Sequence, residues 1–258
     1  MIKKFEVLIR QNVYAYYWLR RIYFWYCYVF RISHEPEFSI LSRMHARPGE
    51  IIDVGANDGI SAISIRTFNQ KNPILSFEPN RFYEGRLKWI SSRLANFSYQ
   101  MVGIGEAACE TKLYIPVYKG FVLTALGALS PEDAGDLTGR GMFVRNFDAK
   151  QLRIEPQTVQ VIRIDDLKLN PILVKIDIEG GELAALHGME ETLKRSRPVL
   201  IIEHNNPGTA EKMKFLKNLA YDLIDPKTMR FPSSERLSSS VNLVFWPRGL
   251  KYNLPHDT

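Results

Sequence analysis

The feature that most constrains this chain is a series of short apolar runs. Each stops at a cluster of acidic, glycine or asparagine residues before a helical stretch begins. Ile51-Ile-Asp-Val54 leads into Gly55-Ala-Asn-Asp-Gly59, and Ile74-Leu-Ser-Phe77 into Glu78-Pro-Asn80. Ile172-Leu-Val-Lys-Ile176 leads into Asp177-Ile-Glu-Gly-Gly-Glu182, and Val199-Leu-Ile-Ile202 into Glu203-His-Asn205. Four or five apolar residues bounded by turn residues fit strands buried on both faces. Tyr99–Val102, Leu113–Val117 and Val159–Ile164 also read as strands, and Tyr221–Ile224 and Val241–Trp246 as a closing, antiparallel pair. Leu183, Leu186, Met189 and Leu193 recur at helical spacing between two of the acidic-ended runs. This alternation predicts an α/β fold, a mainly parallel twisted sheet with helices on both faces.

The organisation expected is an N-terminal aromatic, basic helical extension over residues 1–47 and a main domain over 48–258. Pro36–Arg47 reads as a short helix or connector. Gly120–Pro156 is poor in periodicity, so an insertion or lid is expected at about 118–156. Hydrophobic residues make up 45% of the chain and charged residues 24%, which excludes a mainly disordered protein. Cys27 and Cys109 are the only cysteines and no metal-ligand spacing surrounds them, which excludes a disulfide scaffold and a zinc knuckle. A reducing, cytoplasmic location is the expectation.

The net charge of +6 is unevenly spread. Residues 1–47 hold eight basic and three acidic residues, and the remainder is nearly neutral. A neutral body does not attract a phosphate backbone, so no nucleic-acid partner is expected. Within the extension, Tyr14–Phe30 is densely aromatic but broken by Arg20 and Arg21, which argues against a transmembrane helix. Two readings stay open. One is a helix packing its aromatic face on the domain or on a second subunit of a homo-oligomer. The other is peripheral membrane contact through residues 1–32.

Ligands of a doubly wound sheet bind outside the carboxyl ends of its strands. The loop after the first run has Gly55 and Gly59 four apart, leaving a strand and entering a helix near Ser61. It lacks the GxGxxG pattern, which counts against a nicotinamide oxidoreductase. Asp53 and Asp58 in and beside the loop suit a cationic or zwitterionic ligand. Glu78, one strand–helix–strand unit later, is placed to accept hydrogen bonds from ribose hydroxyls. Asp177 and Glu179 alternate, so both face one side of an extended backbone. Glu182 falls in a first helical turn, where a negative charge is structural. His204 stands at a strand's carboxyl end beside the same crevice. No metal is required, although Asp177, Glu179 and Glu203 together suit a divalent ion.

In order, IIDVGANDG (51–59), LSFEPN (75–80), VIRIDDL (161–167), VKIDIEGGELAALHGMEETL (174–193) and VLIIEHN (199–205) resemble the FkbM-type S-adenosylmethionine-dependent methyltransferases. The resemblance implies a Rossmann-like class I methyltransferase fold that binds S-adenosyl-L-methionine over the first two strand ends. It implies cofactor contacts from Asp53, Gly55, Ala56, Asn57 and Gly59, and from Glu78, Pro79 and Asn80 on the ribose side. The activity it implies is O-methylation of a sugar, glycan or natural-product hydroxyl. Asp177, Glu179 and His204 are the candidates for general base, in no fixed order. Acceptor choice is expected in the N-terminal segment and the 118–156 stretch, which carry no family motif. The competing readings are a catalytically inactive cofactor-binding scaffold, attached to a membrane or partner through the N-terminal segment, and a nucleic-acid base methyltransferase. The latter commonly needs a polar-Pro-Pro-aromatic motif to grip a flipped base, where this chain has Asp177-Ile-Glu-Gly.

Overall fold

The computed structural model describes residues 13–137, 147–178, 180–204, 208–233 and 242–251. The apolar runs pair as strands β1 (Ile51–Val54), β2 (Ile74–Phe77), β3 (Phe97–Gln100), β8 (Leu173–Ile176) and β9 (Val199–Glu203), all parallel. The closing pair, β10 (Tyr221–Ile224) and β11 (Asn242–Pro247), is antiparallel as expected, and β11 also runs antiparallel to β9. The spatial order is β10-β11-β9-β8-β1-β2-β3. The chain therefore leaves β1 toward β2 and β3, then returns to the other side of β1 at β8. That reversal opens a crevice above the carboxyl ends of β1 and β8.

Alternation of side chains along these strands builds two cores. Ile51, Ile74, Leu173, Val199 and Ile201 face one side. They pack there with α2 (Ile60–Phe68), α3 (Glu84–Ser91), the 3-10 helix Pro36–Arg43 and one edge of α1 (Val13–Phe30). Ile52, Val54, Val174, Ile176, Leu200 and Ile202 face the other, against α5 (Glu182–His187), α6 (Glu190–Ser196) and α7 (Thr209–Asn218). Each such side chain contributes roughly 1.5–3 kcal/mol on burial.

Two expectations change. The helical spacing from Leu183 to Leu193 is carried by two helices, α5 and α6, broken at Gly188-Met189. The break follows from packing: a β-carbon on Gly188 would lie 1.9 Å from the Gly105 carbonyl oxygen, and the Gly188 carbonyl accepts from the Asp165 amide. The Asp165 carboxylate then accepts from the amides of Glu191 and Thr192, holding the first turn of α6. The Leu113–Val117 and Val159–Ile164 strands do form, but in a second, four-stranded sheet. There β5 (Cys109–Tyr118) and β7 (Leu152–Ile162) pair over ten residues, while β4 (Gly103–Ile104) and β6 (Phe121–Val122) add short edges. Leu152–Pro156, expected within the insertion, is thus regular strand. The described part of that insertion holds the short helix α4 (Pro131–Gly135), N-capped by Ser130.

Candidate active site

A polar row crosses the sheet just below the crevice. Ser76, Asp53 and Lys175 are register partners on β2, β1 and β8. All three face the core that holds α2 and the N-terminal segment. Asp53 and Lys175 are almost fully buried, so their charges must find partners. Ser76 Oγ donates to Asp53 Oδ2 at 2.9 Å. Lys175 Nζ lies 3.7 Å from Asp53 Oδ1 and donates to Asp177 Oδ2 at 3.1 Å. Burial alone would lower the Lys175 ammonium, yet the carboxylates of Asp177, Asp53 and Glu35 hold it above its ordinary value. Complete burial pushes the Asp53 carboxyl up against the opposing pull of Lys175. Glu35 would also be raised by burial, but its bond to His34 and the Lys175 charge bring it down to about 2.

Above this row sits the β1–α2 loop. Gly55 has φ +85°, and a β-carbon on it would meet the Asp177 carbonyl oxygen at 1.8 Å. The amides of Gly55 and Ala56 both donate to the Phe77 carbonyl, which locks the loop to the end of β2. Asn57 has φ +53°, and its side-chain oxygen accepts from the Asp58 amide. Gly59, at φ +82°, opens α2, with Ile90 2.3 Å from where its β-carbon would stand.

Glu78 ends β2 in the same space and is 7% exposed. One of its oxygens accepts from the Asn57 amide at 2.8 Å and the other from the Asn80 amide at 2.9 Å. Burial raises its carboxyl to about 7, against the pull of these two bonds. Each oxygen keeps a lone pair for a further donor. Pro79 follows at the strand's end. Asn80 is buried, caps the 3-10 turn Arg81–Tyr83 through the Phe82 amide, and donates to the Thr124 carbonyl at 3.2 Å. Together with the bond from the Arg81 amide to Gln157, this fixes the second sheet and its insertion beside the end of β2.

On the other side of the crevice, β8 and β9 register Ile176 with Ile202. Asp177 and His204 therefore leave adjacent strand ends one and two residues later. The Asp177 side chain is 32% exposed and faces Lys175. His204 Nδ1 is buried and has no hydrogen-bond partner among the described residues. Below it, Lys212 Nζ joins the Glu203 carbonyl to Glu182 Oε2, an ion pair buried on both sides. Glu182 is structural, as expected from its place in the first turn of α5. Glu179 lies outside the described residues. Among those residues no three histidine, cysteine or carboxylate side chains gather in a metal-binding group.

The sequence-derived residues Asp53, Gly55, Ala56, Asn57, Gly59, Glu78, Pro79, Asn80, Asp177 and His204 thus sit at the ends of four adjacent strands. Lys175 and Glu35 were not among them. The available signal was Lys175 itself, a charge inside an apolar run that the fold buries on both faces.

A family model, the methyltransferase FkbM domain, matches residues 53–223. The chain belongs to the FkbM methyltransferase family. The fold and the cofactor, S-adenosyl-L-methionine, are those of this Rossmann-like methyltransferase class. No curated protein matches the chain in sequence. Among solved structures, this FkbM chain is similar to a methyltransferase FkbM from Methylobacillus flagellatus KT, with 16% identity and a TM-score of 0.47. That match covers 77% of this chain and 43% of the other, so this chain spans less than half of that protein. It is also similar to a precorrin-6y C5,15-methyltransferase from Geobacter metallireducens GS-15 (14% identity, 82% and 86% covered, TM-score 0.40). A third is the Aeropyrum pernix fibrillarin with S-adenosyl-L-methionine natively bound (10% identity, 81% and 72% covered, TM-score 0.40).

Proposed function

We propose that this FkbM protein methylates a hydroxyl oxygen of a sugar, glycan or natural-product acceptor. The observation that carries the reading is the combination of groups around one crevice. Glu78 brings two acceptor oxygens, Asp177 a lysine-held carboxylate, and His204 a buried ring nitrogen with no hydrogen-bond partner among the described residues. These groups fit the cofactor's chemistry: carboxylate acceptors suit ribose hydroxyls and a cationic centre. Bound S-adenosyl-L-methionine supplies a methyl group on a sulfonium. Glu78 holds the ribose, while the Gly55–Gly59 loop gives the backbone close approach that the methionine end requires. His204 Nδ1 takes the proton that the acceptor hydroxyl loses, which is worth about 10²–10⁴-fold. Asp177, paired with Lys175 Nζ at 3.1 Å, and Glu179 are the other candidates for the base that takes this proton.

The test uses methyl-labelled S-adenosyl-L-methionine with an extract of small hydroxylated metabolites and glycans. The expected outcome is label in an alkali-stable ether product with wild type. His204→Ala should give at least about tenfold less product, with cofactor affinity in calorimetry unchanged. Equal turnover in both proteins removes His204 as the base, and label on nitrogen rejects O-methylation. A cofactor-binding scaffold without turnover is the second reading, and the exposed aromatic face of α1 favours it. It predicts calorimetric binding with no labelled product from any fraction.

A further inference from the structure

Helix α1 has two faces with opposite surroundings. Phe24 and Cys27 are buried, and the Phe24 ring lies 6.3 Å from Trp89 of α3. At 3.6 residues per turn, Trp18, Ile22, Tyr26 and Val29 fall on the opposite side. The structure leaves that side in solvent: Ile22 is 62% exposed and Val29 64%, with Phe30 alongside. The Val13–Phe30 sequence contains no acidic residue. One edge of the stripe is basic. The Arg21 guanidinium lies 5.8 Å from the Trp18 ring of the stripe and Arg86 5.8 Å from Trp25 beside it, while Arg86 also lies 4.3 Å from Phe24 and Arg93 4.5 Å from Trp89, where the helix meets the domain. Exposed large apolar side chains gathered on one helix face mark an interaction site.

We propose that this stripe docks the protein on an anionic membrane surface, with α1 lying flat at headgroup depth. Three observations select that occupant. The stripe combines aliphatic side chains with Trp and Tyr, whose polar tips suit the boundary between headgroups and acyl chains. The arginine edge complements lipid phosphate, and the basic excess of the chain is concentrated in residues 1–47. No helix among the described residues is long and apolar enough to cross a membrane, so contact along the surface is the geometry α1 allows. A second copy of the chain fits less well. Antiparallel two-fold pairing of the stripe would bring the Arg21 edges of both copies to the same side, with no acidic residue in Val13–Phe30 of either copy to offset them.

The experiment is co-sedimentation of the full chain with phosphatidylcholine vesicles and with phosphatidylcholine/phosphatidylglycerol vesicles. Binding to the anionic vesicles should be at least about tenfold stronger and should weaken in high salt. The double variant Ile22→Glu/Val29→Glu changes only solvent-facing positions, so its melting temperature should match wild type while its vesicle binding falls at least about tenfold. Arg93→Glu should reduce the preference for anionic vesicles. Wild-type protein that stays in the supernatant with both vesicle types overturns the proposal, as does a double variant that pellets like wild type. A wild-type dimer in sedimentation velocity, dissociated by the double variant and without vesicle binding, gives the face to a second copy instead. No methyl acceptor enters these assays, so their outcome is independent of the proposed reaction.

Discussion

At Gly55 the end of β8 leaves no room for a side chain. A methyl group there would overlap the Asp177 carbonyl, and φ +85° adds about 1 kcal/mol of backbone strain for any L-residue. Because the obstacle is backbone, Gly55→Ala should pull the β1 and β8 ends apart, lower the melting temperature and weaken cofactor binding at least about tenfold. Calorimetry on the folded variant measures this. Glu78 makes a pH prediction. Its carboxyl is raised by burial from 4.5 to about 7, so the folded protein binds that proton more tightly than the unfolded chain does. Stability from this group is therefore highest below about pH 4.5 and falls as pH rises toward 7, by roughly 3 kcal/mol across that window. The pH slope of wild-type stability minus that of Glu78→Gln should show the decline. Cofactor affinity should run the other way, rising with pH to about 7, because the ionised form accepts two hydroxyls best. Gly55 and Glu78 were legible in the sequence because a strand-to-helix turn needs particular residue types. The clamp that Glu78 puts on the Asn57 and Asn80 amides was not, since it depends on how two loops meet.

At the scale of elements, the ends of β9, α5 and α7 are joined by one buried ion pair, Lys212 to Glu182, with the Glu203 carbonyl as its third member. Lys212→Met leaves the Glu182 carboxylate buried without its cation, at a cost of about 3–5 kcal/mol. Combining it with Glu182→Leu should recover most of that loss, because a well-packed apolar pair replaces a desolvated ionic one. Denaturant unfolding of the two single variants and the double variant measures both terms. A double variant no more stable than Lys212→Met alone would show that the Gly180 amide, which donates to Glu182, is the more important contact. Of these elements the sequence revealed the strands and the helical stretches, since periodicity is local. It did not reveal that β5 and β7 leave the main sheet to pair with each other, because sheet membership is decided by partners far along the chain. Nor did it show the break at Gly188, which arises from the approach of Gly105.

Across the whole molecule, the described residues before β1 are part of the domain's packing and charge balance. Phe38 and Ile40 of the 3-10 helix are fully buried in the core on the α2 side of the sheet. The Arg47 guanidinium donates to the carbonyls of Ile172 and Arg197, tying the segment to the entries of β8 and β9. The Glu35 charge acts on Lys175 together with the nearer Asp53 and Asp177, so the same segment contributes to the charge balance beneath the crevice. Removing residues 1–47 deletes core side chains worth about 2–5 kcal/mol each and a carboxylate that stabilises a buried ammonium. Against a typical total stability of about 5–15 kcal/mol, that loss should leave the remaining chain unfolded or molten at 25 °C. Phe38→Ala alone should give a folded protein destabilised by about 3–5 kcal/mol. Near-UV circular dichroism distinguishes these outcomes. A truncated chain with native near-UV signal and cooperative melting would mean that the sheet and its helices close the core without help, and that Lys175 is sufficiently balanced by Asp53 and Asp177.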